Sequence, residues 1–457
     1  MEHLRASEAL NLILESVPLS GDETVMLVQS LGRVLAEAIS ANRDLPPYDV
    51  SAMDGFAVRS ADVANAPARL VIIEDIKAGD MPTKTLQAGQ CARIMTGAPM
   101  PQGADAVIRV EDTQAALADG GLPHPNPDRT TSHSTKLPKD GSQVAGYPPA
   151  GEGASVSLRE VNHDSVQIDK TVKPGNDVRP RGESMKNGDV VLTAGTEITP
   201  GVIGVLATVK AAQFAVYRRP SVAILSTGDE LEGMRDPVDP NKIPESNTYA
   251  LMGQVQALGI EPVLLGIARD EPTELRRYLQ EGLRFDVLLV SGGTSVGVHD
   301  YVRPTLEGLG VQMKFWRVAI KPGHPLAFGR TDKTSVFGLP GNPVSSMVCF
   351  EEFVAPALRH MMGSTRLYRR TVTARLAHPV KFRPGRTEFV RVQLSRDAAG
   401  YIASSTGSQS SGVLMSMARA DGLMVIPSDS TGLAEGEQVT VQLLDGTVFQ
   451  DDIGYRE

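Results

Sequence analysis

The chain has 457 residues, 41% hydrophobic and 22% charged, the balance of an ordinary soluble globular protein. At about 150 residues per domain this length predicts about three or four domains. A formal net charge of −9 argues against a general nucleic-acid binder, which needs a basic face, but leaves room for a local basic pocket.

Met1 to Ser20 has no basic region followed by an apolar core, so no signal peptide is expected. No run in the chain approaches ~18 apolar residues, so no membrane span is expected either. Ala6, Leu10, Ile13, Leu14 and Val17 recur at helical spacing, and a second apolar pattern runs from Val25 to Ile39. Together they predict a pair of packing or dimerisation helices over the first 40 residues. Pro46 and Pro47 stop any helix and open a turn-rich passage that ends at Gly55.

From Phe56 to about Asp112 short strand-like runs are punctuated by Gly and Pro: Leu70–Ile73, Cys91–Ile94 and Ala106–Ile108. These predict a small β-rich domain. Residues 119–151 carry six prolines (Pro123, Pro125, Pro127, Pro138, Pro148, Pro149) among Gly, Ser, His and Asp. Such a stretch buries little apolar surface and reads as a loop insertion. Its two histidines, His124 and His133, are read as solvated, because a metal site needs more fixed partners. Order is expected again at Ser155–Leu158 and Val178–Glu183, and a helix at about 200–210.

Then strands and helices alternate. Val222–Leu225 reads as a strand, Thr248–Leu258 as a helix stopped by Gly259, and Val263–Ile267 as a strand. Glu271–Leu283 reads as a helix with Pro272 in its first turn, Asp286–Val290 and Ser335–Phe337 as strands, and Val344 to about Met362 as the closing helix. This order predicts a doubly wound domain on a parallel sheet. From Thr371 to about Leu444, alternating Gly-broken runs predict a small β-barrel or sandwich. The two cysteines, Cys91 and Cys349, make neither a disulfide framework nor a zinc pattern. They suit a reducing compartment such as the cytoplasm.

In an open parallel sheet, ligands bind beyond the carboxyl ends of the strands. Polar, Gly-rich loops fall at such ends: Ser226–Glu230, Ala268–Glu271, Ser291–Gly297, Lys321–Pro325 and Gly338–Ser345. Glycines let the backbone approach a ligand, and amides near a helix start suit a phosphate or oxyanion. The acidic set is Asp229, Glu230, Asp270 and Asp300; the cationic set is Arg317 and Lys321. Taken alone, Asp270 or Asp300 reads as a helix cap. Taken together, carboxylates suit a hard ion such as Mg²⁺ and the cations suit a phosphate or oxyanion, as metal-assisted chemistry on a nucleotide-like substrate requires.

Several of these runs carry a resemblance. Pro47-Tyr-Asp-Val-Ser-Ala-Met-Asp-Gly-Phe-Ala57, Ile94–Ala98, Pro101–Val107, Arg219–Glu230, Ser291–Gly297 and Gly338–Ser345, in this order and spacing, resemble the molybdopterin molybdenumtransferase family, which includes the gephyrin E-domain. The resemblance covers about residues 1–445, outside the 119–151 insertion. It implies an α/β multidomain homodimer. Its parts would be an elongated N-terminal domain in two segments (1–47 and 169–216), a β-rich inserted domain (48–168), a doubly wound molybdopterin-binding domain (217–363) and a C-terminal β-barrel (364–457). It implies insertion of molybdate into adenylylated molybdopterin with release of AMP, assisted by Mg²⁺, and transient contact with other cofactor-assembly proteins. The alternatives are the adenylyltransferase of the same pathway and a non-catalytic molybdopterin-binding scaffold. The flanking domains argue against the first, and the intact charged loops against the second.

By position in the motifs, Asp54 and Thr96 would face the site from the partner. Glu230, Asp270 and Asp300 would carry metal and acid roles, with Lys321 beside them. Gly292, Gly293, Thr294, Ser295, Arg317, His324, Pro340, Pro343 and Ser345 would bind substrate. The chain departs from the family pattern at three places. Ser184 replaces an acidic residue after Gly182-Glu183, Arg317 stands where a lysine is expected, and His324 is the basic residue of its Lys-Pro-Gly-basic-Pro loop. The arginine keeps charge but changes geometry, and the histidine makes charge pH-dependent.

Overall fold

The computed structural model describes residues 4–115, 165–293 and 301–444. The 119–151 insertion and the order expected at Ser155–Leu158 lie outside the described residues. The chain forms two compact units, residues 40–191 and residues 1–39 with 192–457.

The 40–191 unit is built on a six-stranded sheet. Its order is Ala106–Arg109, Gly55–Val58, Gln90–Ile94, Ala68–Ile76, Ser165–Ile168, Thr113–Ala115. The pairing is antiparallel except between Ala68–Ile76 and Gln90–Ile94. Both faces are covered, which is why these strands are apolar without strict alternation. Phe56 and Val58 pack with Leu70 and Ile108 on one side, Ala57 with Ile94 and Val107 on the other. Gly55 is obligatory, because a Cβ there would meet the Ile108 carbonyl oxygen at 1.9 Å.

In the other unit, the helix Ala6–Ser16 forms as expected and buries Ala9 and Ile13. The second helix does not. Residues Asp22–Met26 form a strand antiparallel to Gln213–Tyr217, followed by a single 3-10 turn, Leu27–Gln29. The helical spacing is not used: Val28 is 89% exposed and Leu31 57% exposed, while Val25 faces a core with Leu35, Phe214 and Val216. The pairing strand lies far along the chain, so no local pattern announces it. The helix Pro200–Thr208 starts at Thr199, whose hydroxyl accepts from the Val202 amide.

The doubly wound domain carries a six-stranded sheet in the order Val263–Ala268, Val222–Thr227, Val287–Ser291, Ser335–Leu339, Ala327–Arg330, Gln312–Phe315. The first four strands are parallel. The last two pairings are antiparallel, so the sheet is mixed rather than wholly parallel. Only four residues join Arg330 to Ser335, and so short a link closes a hairpin, not a crossover. Alternate residues serve opposite faces. Ile224 and Leu289 meet Leu251, Val255, Val344 and Val348, whereas Leu225 and Leu288 meet Leu275, Leu279, Val302 and Leu306. The closing helix runs as Pro343–Cys349, a π-turn Phe350–Val354, and Ala355–Met361. Pro356 lacks an N–H and crowds the carbonyl four residues back, and the wider turn accommodates it.

The last five long strands close a barrel. Thr387–Asp397 neighbours Gly400–Ser405, then follow Thr371–Leu376, Gln438–Leu443 and Gly422–Ile426, which returns to Thr387–Asp397. Val390, Val392, Ala403, Met424 and Val441 fill it. The short strand Ile320–Lys321 pairs with Thr387–Asp397 and ties this barrel to the doubly wound domain.

Candidate functional site

The chain leaves Val222–Thr227 for one neighbour in the sheet and returns to the other, so a crevice opens between Val222–Thr227 and Val287–Ser291 at their carboxyl ends. A cleft of about 600 Å³ lies there. Its walls include Thr227, Glu230, Asn247, Gly292, Gly293, Pro340 and Pro343.

The glycines shape it. Gly292 and Gly293 have φ of +92° and +59°. A Cβ on Gly292 would sit 2.5 Å from the Thr227 carbonyl oxygen, and one on Gly293 2.2 Å from Val302 Cγ2. No other residue lets the backbone lie this close to the neighbouring strand end. Thr294, Ser295 and Asp300 lie outside the described residues.

A polar network holds the strand ends together. The Asn247 side-chain amide donates to Ser291 Oγ at 2.8 Å and to the Gly341 carbonyl at 2.8 Å. Beneath it, Ser226 Oγ donates to Glu245 Oε1 at 2.8 Å and lies 2.9 Å from Thr248 Oγ1. Glu245 Oε1 also accepts from the Thr248 amide at 2.7 Å. Ser226, Glu245 and Thr248 are all buried. Thr227 Oγ1 and Asn247 Oδ1 are buried without a hydrogen-bond partner among the described residues. Sequence reasoning missed Asn247, Glu245 and Thr227. The Ser246-Asn247-Thr248 run before an apolar helix was the available signal.

The acidic loops converge. The Asp270 amide donates to Asp229 Oδ1 at 3.2 Å. Arg269 donates to the carbonyls of Gly228, Asp229 and Leu231, which pins the loop carrying Glu230. Glu230 is exposed on the cleft wall. Helix Pro272–Gly282 is capped by Glu271, not Asp270. The two amide bonds that Glu271 accepts hold its carboxyl below the ordinary range. Among the described residues no group of three or more His, Cys, Asp and Glu side chains is placed to hold a metal ion.

The cations are placed differently from expectation. Lys321 is ion-paired with the buried Glu388 of the barrel, Nζ lying 3.1 Å from each carboxylate oxygen. Its side chain is still more than half exposed, so the ammonium keeps donors for a further acceptor. His324 Nδ1 lies 2.7 Å from the Val318 carbonyl oxygen. Its ring lines a separate pocket with Leu4, Arg5 and Arg386, while Pro325 of the same loop lines the cleft. Arg317 is half-buried with no ion-pair or hydrogen-bond partner among the described residues. Ser345 is 4% exposed, inside the first turn of its helix, and is not part of the cleft wall.

In the 40–191 unit the structure brings Asp54 and Thr96 together. Asp54 Oδ1 accepts from the Thr96 amide at 2.7 Å and from Thr96 Oγ1 at 2.8 Å. Both residues are exposed, and the amide bond followed by the hydroxyl bond holds the Asp54 carboxyl below its ordinary value. In the Arg-rich motif, Glu183 is ion-paired with Arg179 at 2.7 Å, and the Ser184 amide donates to the Leu45 carbonyl. Cys91 and Cys349 are buried free thiols, and burial pushes Cys91 up to about 12.

Comparison with known proteins covers nearly the whole chain. Residues 4–209 match the MoeA N-terminal region (domain I and II), 223–360 a probable molybdopterin binding domain, and 373–444 the MoeA C-terminal region (domain IV). A molybdopterin molybdenumtransferase of Nostoc sp. is 33% identical over 95% of this chain and 92% of its own length. Molybdopterin molybdenumtransferase 2 of Mycobacterium tuberculosis is 34% identical over 92% and 94%. The crystal structure of the molybdopterin biosynthesis MoeA protein of Pyrococcus horikoshii superposes with a TM-score of 0.75 at 28% identity, covering 97% of this chain and all of that one. Identity above 30% along almost the full length, carried by all three consecutive regions, makes this protein a member of the molybdopterin molybdenumtransferase family.

Proposed function

We propose that this protein is the transferase that places molybdate on the dithiolene of adenylylated molybdopterin and releases AMP. The supporting observation is the cleft at the strand switch point, which falls inside the segment matching a probable molybdopterin binding domain. Its glycine-lined floor accepts a phosphate against the backbone near Gly292 and Gly293, where little side chain intervenes. Asn247 keeps the Ser291 and Gly341 loops at a fixed separation, so pterin and phosphate meet a preformed wall. Arg317 and Lys321 are retained as the cations that meet the substrate's anions on the family resemblance; Lys321 also pairs with Glu388 at the barrel edge. Thr294, Ser295 and Ser345 are retained as substrate contacts on the family resemblance. His324 is retained as a substrate-binding residue on the same resemblance, although it lines its own pocket.

The chemistry of the donor set, not a formed cluster, suits Mg²⁺ as the family resemblance implies. Glu230 and Asp270 offer hard carboxylate oxygens at adjacent strand ends, and Asp300 is the third candidate. Mg²⁺ often takes only one or two carboxylates and completes its shell with water and substrate phosphate. When bound it neutralises phosphate charge. The chain's own part is to orient the phosphate and to hold the acidic loop through Arg269. We also propose a homodimer, in which a second copy brings its Asp54–Thr96 pair to the cleft, and a cytoplasmic location consistent with two reduced, buried thiols. No described helix is long and apolar enough to cross a membrane. The four-domain division given above is retained as part of this proposal.

The test is AMP release by the purified chain given adenylylated molybdopterin, with molybdate and with tungstate in parallel. Molybdate-dependent AMP release is the expected result. Formation of adenylylated product from ATP and molybdopterin would instead assign the earlier adenylylation step. Binding of the pterin with no turnover would assign a scaffold. Light scattering at micromolar concentration should give twice the chain mass.

A further inference from the structure

Arg219 opens one of the sequence runs singled out above, yet the cleft makes no use of it. Its neighbour Arg218 is held by Asp286, through bonds of 2.9 and 3.0 Å. The Arg219 side chain has no hydrogen-bond or ion-pair partner among the described residues, and its Nε is buried without one. The Arg359 side chain, in the helix Ala355–Met361, likewise makes no ion pair or hydrogen bond among the described residues. Both line one cavity of about 300 Å³, together with the buried Arg33. Arg33 is satisfied, donating to Glu23 at 2.5 Å and to the Tyr217 carbonyl at 2.9 Å. This cavity shares no lining residue with the cleft.

Two helices end at this cavity, Asn247–Ala257 and Ala355–Met361, and arginines commonly serve terminal carbonyls. Neither Arg219 nor Arg359 does so among the described residues. The terminal carbonyls of Val255 and Gln256 instead take amides from Leu258, Gly259 and Ile260. Burial and the neighbouring Arg33 lower the proton affinity of Arg219, and burial with Arg369 does the same at Arg359. Both guanidiniums are half-buried and unpaired, and an anion offsets the cost of that partial desolvation. The opposing charge on the wall is Glu197, which is exposed and near Arg359. Glu23 is already engaged by Arg33.

We propose that the Arg33–Arg219–Arg359 cavity is a binding site for a tetrahedral oxyanion, separate from the catalytic cleft. A planar fork of donors on two unpaired arginines matches phosphate, a phosphate monoester or molybdate. A cavity of about 300 Å³ admits a tetrahedral group and its first substituents.

The test uses the full chain at constant ionic strength. Inorganic phosphate and molybdate are titrated separately while thermal unfolding and calorimetric binding are followed. The wild type should show saturable stabilisation. Arg219→Gln with Arg359→Gln should weaken it about tenfold or more, since two charge-assisted contacts are lost. Asn247→Ala, in the cleft, should leave this site's response unchanged. Arg359→Gln alone carries the test if the double variant folds poorly. A response to molybdate alone assigns the site to the metal oxyanion, and a response to both assigns it to tetrahedral dianions in general. No saturable response in the wild type, or identical curves for wild type and arginine variants, overturns the proposal.

Discussion

Asn247→Ala removes the amide that spans the cleft. Two bonds of 2.8 Å are lost, one to Ser291 Oγ and one to the Gly341 carbonyl. Ser291 is 2% exposed, so its hydroxyl loses a partner that water cannot easily replace. Gly341 is exposed, and water takes over most of that bond. At about 1 kcal/mol for the first and about 0.5 for the second, unfolding free energy should fall by about 1.5 kcal/mol. The effect on turnover should be larger than that on folding. The bonds hold the Gly292–Gly293 turn and the Pro340–Pro343 loop in one geometry, and small misplacement at a site is amplified in rate. We expect kcat/KM for AMP release to fall by about ten- to thirtyfold, equivalent to about 1.4–2 kcal/mol of transition-state stabilisation. Asn247→Asp is the sharper variant. It has the same shape but accepts where the amide donates, so it should face the Gly341 carbonyl unfavourably and repel a substrate phosphate. Urea unfolding and initial rates of AMP release on both variants measure these effects. The reasoning is refuted if Asn247→Ala keeps wild-type kcat/KM, or if Asn247→Asp is the milder of the two.

Glu352, in the π-turn, is pushed up to about 7, by burial first, although Gln442 donates to it at 3.2 Å and opposes the shift. Its folded value lies above its ordinary one, so its contribution is complete below about pH 4.5 and disappears as pH rises to about 7. Wild-type stability should therefore fall by about 3 kcal/mol across that window, and Glu352→Gln should flatten the profile in urea titrations; an unchanged slope removes Glu352 as its source. Asp270→Asn should raise the Mg²⁺ concentration for half-maximal AMP release by about tenfold. Asp239→Asn should not, because its carboxylate accepts from Asn241 within its own loop; equal titration curves would end the proposed metal role of Asp270. Replacing residues 119–151 with a short Gly-Ser linker should leave AMP release within about tenfold of wild type. A larger loss would mean that the insertion shapes the site.

Local residue pattern is enough to define strands and helices wherever a single element buries a single periodic face. Val222–Thr227, Asn247–Ala257, Val263–Ala268 and Pro272–Gly282 were legible for this reason, as were the strands of the barrel. The Gly292-Gly293 turn was legible too, since the backbone there admits no Cβ. What depends on distant partners was not. Asp22–Met26 pairs with a strand near residue 215, and its helical spacing could not reveal that. The sheet's antiparallel edge was set by a short link between two strands, not by their composition. The partners of the charged side chains were not legible either. Lys321 and His324 carry the residue types an anion site needs, but Glu388 takes the first, and the Val318 carbonyl directs the second into another pocket. Asn247 drew no notice in sequence, yet it ties the loops across the cleft. A side chain's type fixes what it can bond, whereas which partner it meets is decided by packing between elements far apart in the chain.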